Sequence, residues 1–239
     1  MSWAVVTGAS SAIGGACALQ LARDGYDVVV HYLRHEHEAA QIAAQIDLLG
    51  GQAVLIRHRL DRKGDTQSFC EAVSEVTPEI DALIVASAAG VMRDVASLTE
   101  HHINWTIQTS ALPILTATKL LAPSAVVAIS SLGSTRVVPH YAAIGVAKAA
   151  MEAAVRYLGV EMAPKCRVNA ISAGLLRTRS ALQLPEFDAM QAATLANTPM
   201  KRLLVPQDIA DLASFLISDK AAMITGSVIA LDGGYGLRW

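Results

Sequence analysis

Short, uniformly apolar runs alternate along this chain with longer segments whose apolar residues recur three or four positions apart. Trp3 to Thr7 is a strand-like run ending at Gly8, and Ala12 to Asp24 has helical spacing and stops at Gly25. Asp27 to Tyr32 contains the consecutive valines Val28, Val29 and Val30. Ile42, Ala43, Ile46 and Leu49 share a helical face, and Gly50-Gly51 closes that helix. A strand at Ala53 to Ile56, a helix at Thr66 to Val76 and a strand at Ile80 to Ala86 follow. The spacing then predicts a long helical stretch from about Thr99 to Leu121 and a strand at Ala125 to Ile129. The second half continues with a helix from Tyr141 to Met162 and a strand from Val168 to Ser172. Pro206 opens a helix carrying Ile209, Leu212, Ala213 and Leu216 on one face, and Ser227 to Leu231 is the last strand. Residues 178–204 are less regular and contain Pro185 and Pro199.

The strands do not alternate with polar residues, so both of their faces are expected to be buried. Such strands between helices predict a parallel sheet covered on both sides, a doubly wound α/β (Rossmann) fold of seven strands. No linker, repeat or low-complexity stretch divides residues 1–239, which predicts a single domain. Composition agrees: 53% of residues are apolar and 17% charged, which excludes disorder. A net charge of −2 leaves no basic surplus for nucleic acid or an anionic membrane. No segment approaches the ~20 apolar residues of a membrane span. The best, around 111–129, is broken by Pro113, Lys119 and Pro123. Met1-Ser2-Trp3-Ala4 supplies no basic leader, so a cytoplasmic location is expected. Cys17, Cys70 and Cys166 are too widely spaced for a metal site or a disulfide framework.

The first strand runs into Thr7-Gly8-Ala9-Ser10-Ser11-Ala12-Ile13-Gly14 and then a helix. Glycines let backbone approach a pyrophosphate there, and the helix N-terminus stabilises its charge. Gly8, Ser10, Ser11, Ala12, Ile13 and Gly14 are therefore candidate nucleotide-binding residues. At the end of the second strand His31-Tyr32-Leu33-Arg34 holds no acid for a ribose 2′-hydroxyl. Arg34 suits a 2′-phosphate, so NADPH is the expected cofactor. His31, His35 and His37 read as adenine-side surface rather than as a metal set.

These motifs resemble those of the short-chain dehydrogenase/reductase family, and the resemblance runs through the whole chain. Further matches are Asp61, Ser130-Ser131, Val168-Asn169-Ala170, Gly174, Thr178, Thr198-Pro199, Asp208-Ile209-Ala210, Ile224-Thr225-Gly226 and Asp232-Gly233-Gly234. It implies that Asp61, Ala88, Lys148, Gly174 and Thr178 also contact the cofactor. Ala12 stands where most members carry the middle glycine, and its single methyl is expected to be tolerated.

Most of the family place a Tyr four residues before the Lys on one helix. Here that place is Ile144, and the Tyr is Tyr141, seven residues before Lys148, while Ser131 keeps the usual seventeen. Seven residues rotate about 700°, so the two side chains share a face with an axial separation of ~10 Å rather than ~6 Å. Conjugate reduction delivers hydride two bonds from the carbonyl oxygen, which requires an oxygen-binding group farther from the nicotinamide. Tyr-six residues-Lys is the spacing of the enoyl-acyl-carrier-protein reductase branch. Ile129 to Ser134, Tyr141, Gly145-Val146, Lys148-Ala149-Ala150 and Arg156-Tyr157-Leu158 resemble its third bacterial, NADPH-dependent type. The resemblance implies Tyr141, Lys148 and Ser131 as catalytic, with hydride passing to the β-carbon of a 2-enoyl thioester or related conjugated carbonyl. Ketone or 3-oxoacyl reduction in polyketide-type metabolism and a non-redox family member stay open beside it.

The chain departs from the family pattern at several places. Ala86-Ser87-Ala88-Ala89-Gly90 replaces Asn-Asn-Ala-Gly, Ser110 stands for the mid-helix Asn, and Ala173 for the Pro before Gly174. No second Tyr precedes Tyr141, where Val137-Val138-Pro139-His140 lies instead. Leu182, Leu184, Phe187, Met190, Leu195 and Met200 make residues 178–204 apolar: either a lid suited to an acyl chain, free or carrier-bound, or to another hydrophobic ligand, or a segment whose side chains simply pack on one another. The C-terminal Tyr235-Gly236-Leu237-Arg238-Trp239 is expected, by resemblance, at a contact of a homotetramer.

Overall fold

The structure, a computed structural model, describes residues 2–237. Seven parallel strands form one sheet: β1 (Ser2–Thr7), β2 (Tyr26–Tyr32), β3 (Ala53–Arg57), β4 (Ala82–Val85), β5 (Ala125–Ser131), β6 (Arg167–Ala173) and β7 (Val228–Leu231). Their order is β3-β2-β1-β4-β5-β6-β7. The expected doubly wound fold is thus present. Connectivity reverses between β1 and β4, which opens a crevice at the carboxyl ends of those strands. The turn after Thr7 and the segment after Val85 border it.

The apolar strands divide their side chains between two cores. Val6, Val28, Val30, Ile84 and Val127 enter one, beneath α1 (Ala12–Arg23), α2 (Glu36–Leu48) and α8 (Pro206–Ile217). Val5, Val29, Leu83, Val85 and Val126 enter the other, beneath α3 (Asp65–Val76), α5 (Leu112–Leu121) and α6 (Ala142–Glu161). Successive side chains point to opposite faces, so covering both faces demands an unbroken apolar run. All three cysteines are buried and free, and burial pushes the Cys17 and Cys70 thiols up to about 12.

Two elements depart from the sequence expectation. The long helix over 99–121 is two: α4 (Glu100–Ser110) and α5, broken at Ala111. Pro113 lies in the first turn of α5, where its missing N–H costs nothing, but it could not sit inside a continuous helix. The irregular stretch 178–204 contains α7 (Phe187–Asn197). Its apolar residues surround the helix rather than forming a stripe, because only Phe187 and Thr194 are buried. No helix among the described residues is long and apolar enough to cross a membrane.

Candidate active site

The turn after β1 is shaped by close backbone approach. Gly8 has φ +68°, and a Cβ there would lie 2.9 Å from the Ser87 backbone. A Cβ on Gly14 would meet the Gly8 carbonyl oxygen at 2.3 Å. Ser11 caps α1 by accepting the Gly14 N–H at 3.1 Å, which leaves the helix N-terminus facing the crevice. Thr7 ties this turn to β4, its hydroxyl accepting the Ser87 N–H at 3.1 Å.

His31 is buried rather than on the surface expected from sequence, being only 3% exposed. Its Nδ1 accepts the Gly8 N–H at 2.9 Å, so Nε2 carries the proton and donates to the His58 carbonyl at 3.1 Å. Burial brings its pKa down to about 4. The imidazole therefore stays neutral and holds the turn after β1 through Gly8. Sequence reasoning missed this role because Gly8 and His31 meet only through the pairing of β1 with β2. His35 lies on the surface 3.8 Å from Glu38. No cluster of three metal-binding side chains occurs among the described residues.

A single cavity of about 1530 Å³ collects almost every residue singled out in the sequence. Gly8, Ser10, Ser11, Ala12 and Ile13 line one end of it, and Arg34, Asp61, Ala88, Gly174 and Thr178 also border it. Ser131, Tyr141 and Lys148 line the same space. Gly14 does not; it is buried under the turn it shapes. Ala12 is exposed to the cavity, so its methyl displaces nothing. Arg34 is exposed and has no ion-pair partner among the described residues. Burial opposes ionisation of Asp61, but Arg59 and the Trp105 N–H outweigh it and hold the carboxyl below its ordinary range. Glu38, on α2, also reaches the cavity and pairs with Arg179 at 2.6 Å. Sequence reasoning missed that bridge, whose partners are 141 residues apart.

Tyr141 sits at the N-cap of α6 rather than within the helix. Its carbonyl accepts the Gly145 N–H at 2.7 Å, so it stays on the helical register that includes Lys148. Ile144, occupying the usual tyrosine place, is buried against Gly90, where a Cβ would come within 2.3 Å of it. A Cβ on Gly133 would meet the Tyr141 ring at 2.6 Å, so this glycine makes room for the displaced tyrosine. Burial pushes the Tyr141 pKa up, and a hydrogen bond from Ser131 opposes the shift. Tyr141 is thus a protonated donor at neutral pH. Lys148 is buried, its Nζ donating to the Ile129 carbonyl at 2.6 Å, and burial lowers its pKa to about 8. Ser110 clamps the segment after β4, donating to the Ala89 carbonyl at 2.6 Å and accepting its N–H at 3.2 Å.

The sequence profile of the family described as Enoyl-(Acyl carrier protein) reductase matches residues 8–236. The chain belongs to that family. It is an oxidoreductase of the short-chain dehydrogenase/reductase type, a group that works with a nicotinamide cofactor. It is 32% identical to 1-cyclohexenylcarbonyl-CoA reductase of Streptomyces collinus, over 98% of this chain and 86% of that protein. Among solved structures it resembles the NADH enoyl-acyl-carrier-protein reductase of Aquifex aeolicus, with a TM-score of 0.89 at 27% identity, covering 99% and 97% of the two chains. The Bacillus cereus enoyl-acyl-carrier-protein reductase, solved with NADP+ and an indole naphthyridinone, gives a TM-score of 0.91 at 25% identity, covering 100% and 97%. The glycine cradle at Gly8, the capped helix N-terminus and the neighbouring basic Arg34 fit a dinucleotide of this kind.

Proposed function

We propose that this chain is an NADPH-dependent reductase of 2-enoyl thioesters or related conjugated carbonyls. The observation that carries the reading is the place of Tyr141: a turn beyond the position Ile144 fills, over the same cavity as Ser131 and Lys148. When bound, the nicotinamide supplies the hydride that reaches the β-carbon. Tyr141 donates a hydrogen bond to the thioester oxygen as enolate charge develops on it, the electrostatic contribution that usually dominates such steps. Ser131 fixes the Tyr141 hydroxyl. Lys148 holds the nicotinamide ribose, and its cation favours negative charge nearby. Ser10, Ala12 and Ile13 receive the pyrophosphate on backbone N–H groups, with Gly8, Ser11 and Gly14 shaping the turn that presents them, and Asp61, Ala88, Gly174 and Thr178 border the rest of the dinucleotide.

NADPH is preferred in this reading because Arg34 is available for a 2′-phosphate. Arg34→Glu should weaken NADPH binding about tenfold or more and leave NADH nearly unchanged; equal affinities before and after would reject the preference. The apolar lid residues Leu184 and Met190 line the cavity and suit an acyl chain carried on coenzyme A or a carrier protein. A cytoplasmic homotetramer completes the proposal. Val146, Tyr157 and Val160 on α6, exposed by 55%, 67% and 76%, supply an apolar surface for a subunit contact. Arg238 and Trp239 of the expected C-terminal contact lie outside the described residues.

The test is consumption of NADPH with crotonyl-CoA and, separately, with an acetoacetyl thioester. Turnover of crotonyl-CoA that falls by about 10²-fold or more in Tyr141→Phe supports the reading. Turnover of the keto substrate alone would transfer the assignment to ketone reduction, and absence of saturable NADPH binding would indicate a non-redox protein.

A further inference from the structure

The proposed chemistry leaves one buried carboxylate beside the site without a task. Glu152 lies one turn after Lys148 on α6 and is 5% exposed. The hydroxyl of Ser130, itself 4% exposed, donates to its Oε1 in a short hydrogen bond. Ser130 immediately precedes Ser131, and Lys148 is bonded to the carbonyl of Ile129, just before Ser130. One carboxylate thus touches the strand segment that carries the serine and stands on the helix that carries the lysine, four residues beyond it. Asp27, the other buried acid, is taken up by the Gln52 N–H on the far side of β2.

We infer that Glu152 is a positioning residue: anchored by Ser130, its buried charge keeps Lys148 an ammonium at the floor of the cofactor cavity. An isolated buried ammonium sheds its proton rather than remain charged without a counter-ion. Burial does lower Lys148, and Glu152 is the charged group that opposes the shift. The elements packed on α6 supply no substitute. Next to Lys148, β5 offers only the hydroxyls of Ser130 and Ser131, and β6, opposite Ser130, the hydroxyl of Ser172. Arg167, at the start of β6, is engaged with the carbonyls ending α8. From α4 come Glu100, His101 and His102, and from α5 Lys119; Glu100, His101 and Lys119 are exposed, and none of the four acts on Lys148. Tyr141, which lines the same cavity, is protonated, and the cavity's carboxylates Asp61 and Glu38 are paired with Arg59 and Arg179 and do not act on Lys148. The inference rests on Lys148 holding the ribose as proposed above.

The experiment is a fluorescence titration of the full-length protein with NADPH from about pH 6 to about pH 10, with crotonyl-CoA turnover measured alongside. In the unmodified protein affinity should fall as pH rises through about 8, where Lys148 loses its proton. Glu152→Gln keeps the shape and the acceptor for Ser130 but removes the charge. It should move the fall to lower pH by about one unit, giving about fivefold weaker binding near pH 8 and nearly unchanged binding near pH 6. Glu152→Asp should restore the original midpoint, and Ser130→Ala, which frees the carboxylate from its anchor while keeping the charge, should lower it by less than Glu152→Gln does. A midpoint unmoved in Glu152→Gln, or a loss equal at all pH, would overturn the inference and leave Glu152 a packing residue. If Glu152→Gln does not fold, Glu152→Asp decides, since a midpoint lowered despite the retained charge overturns it equally. Intact, pH-dependent cofactor binding without enoyl turnover would sink the proposed reaction and not this role.

Discussion

His31 shows how one side chain makes both stability and binding depend on pH. Only the neutral imidazole can accept the Gly8 N–H, and its folded pKa of about 4 lies below the ordinary 6.5. As pH falls, the unfolded chain takes up the proton first. The stability from this group is therefore complete above about pH 6.5 and lost progressively toward pH 4, amounting to about 3 kcal/mol. Urea unfolding near pH 7 and near pH 4.5 should show that loss, and His31→Asn should flatten it. NADPH affinity should decline over the same interval, because a turn released from Nδ1 no longer presents its N–H groups in place.

At the scale of elements, α6 and α8 are each held by a specific contact. Gly145 of α6 packs so closely on the turn after β5 that a Cβ would lie 2.6 Å from the Gly133 carbonyl oxygen. Gly145→Ala must push α6 off the turn beside Ser131. We expect a cost of about 1–3 kcal/mol in thermal unfolding and a lower kcat, because Tyr141 and Ser131 part. The C-terminus of α8 is gathered by Arg167, whose guanidinium donates to the carbonyls of Leu216, Ile217, Ser218 and Ala221 at 2.6–3.1 Å. A cation there also complements the negative end of the helix. Arg167→Ala, leaving several half-buried carbonyls without a donor, should lower Tm by about 5–10 °C with little effect on NADPH affinity.

For the whole molecule, a net charge of −2 gives no long-range attraction for an anionic cofactor. In the proposed reading, recognition comes from groups in contact: the α1 N-terminus and Arg34. Raising salt should therefore weaken NADPH binding only modestly, and Arg34→Ala should flatten that dependence, as NADPH titrations at low and high ionic strength would show. The fold was legible in the sequence because strands such as Val28-Val29-Val30 have no polar face, and only burial on both sides allows that. The close-packed turn after β1 was legible because its glycines are demanded locally, and the meeting of Ser131, Tyr141 and Lys148 at one cavity because they are spaced along a strand and helix that follow one another. The lid helix α7 was not, since a segment buried at two residues leaves no periodic stripe. Nor were the contacts of His31 with Gly8, Glu152 with Ser130 and Glu38 with Arg179. Local periodicity determines which elements form and which face of each is apolar. Which side chains meet across them is decided when the sheet orders its strands, because those contacts join residues 22 to 141 positions apart.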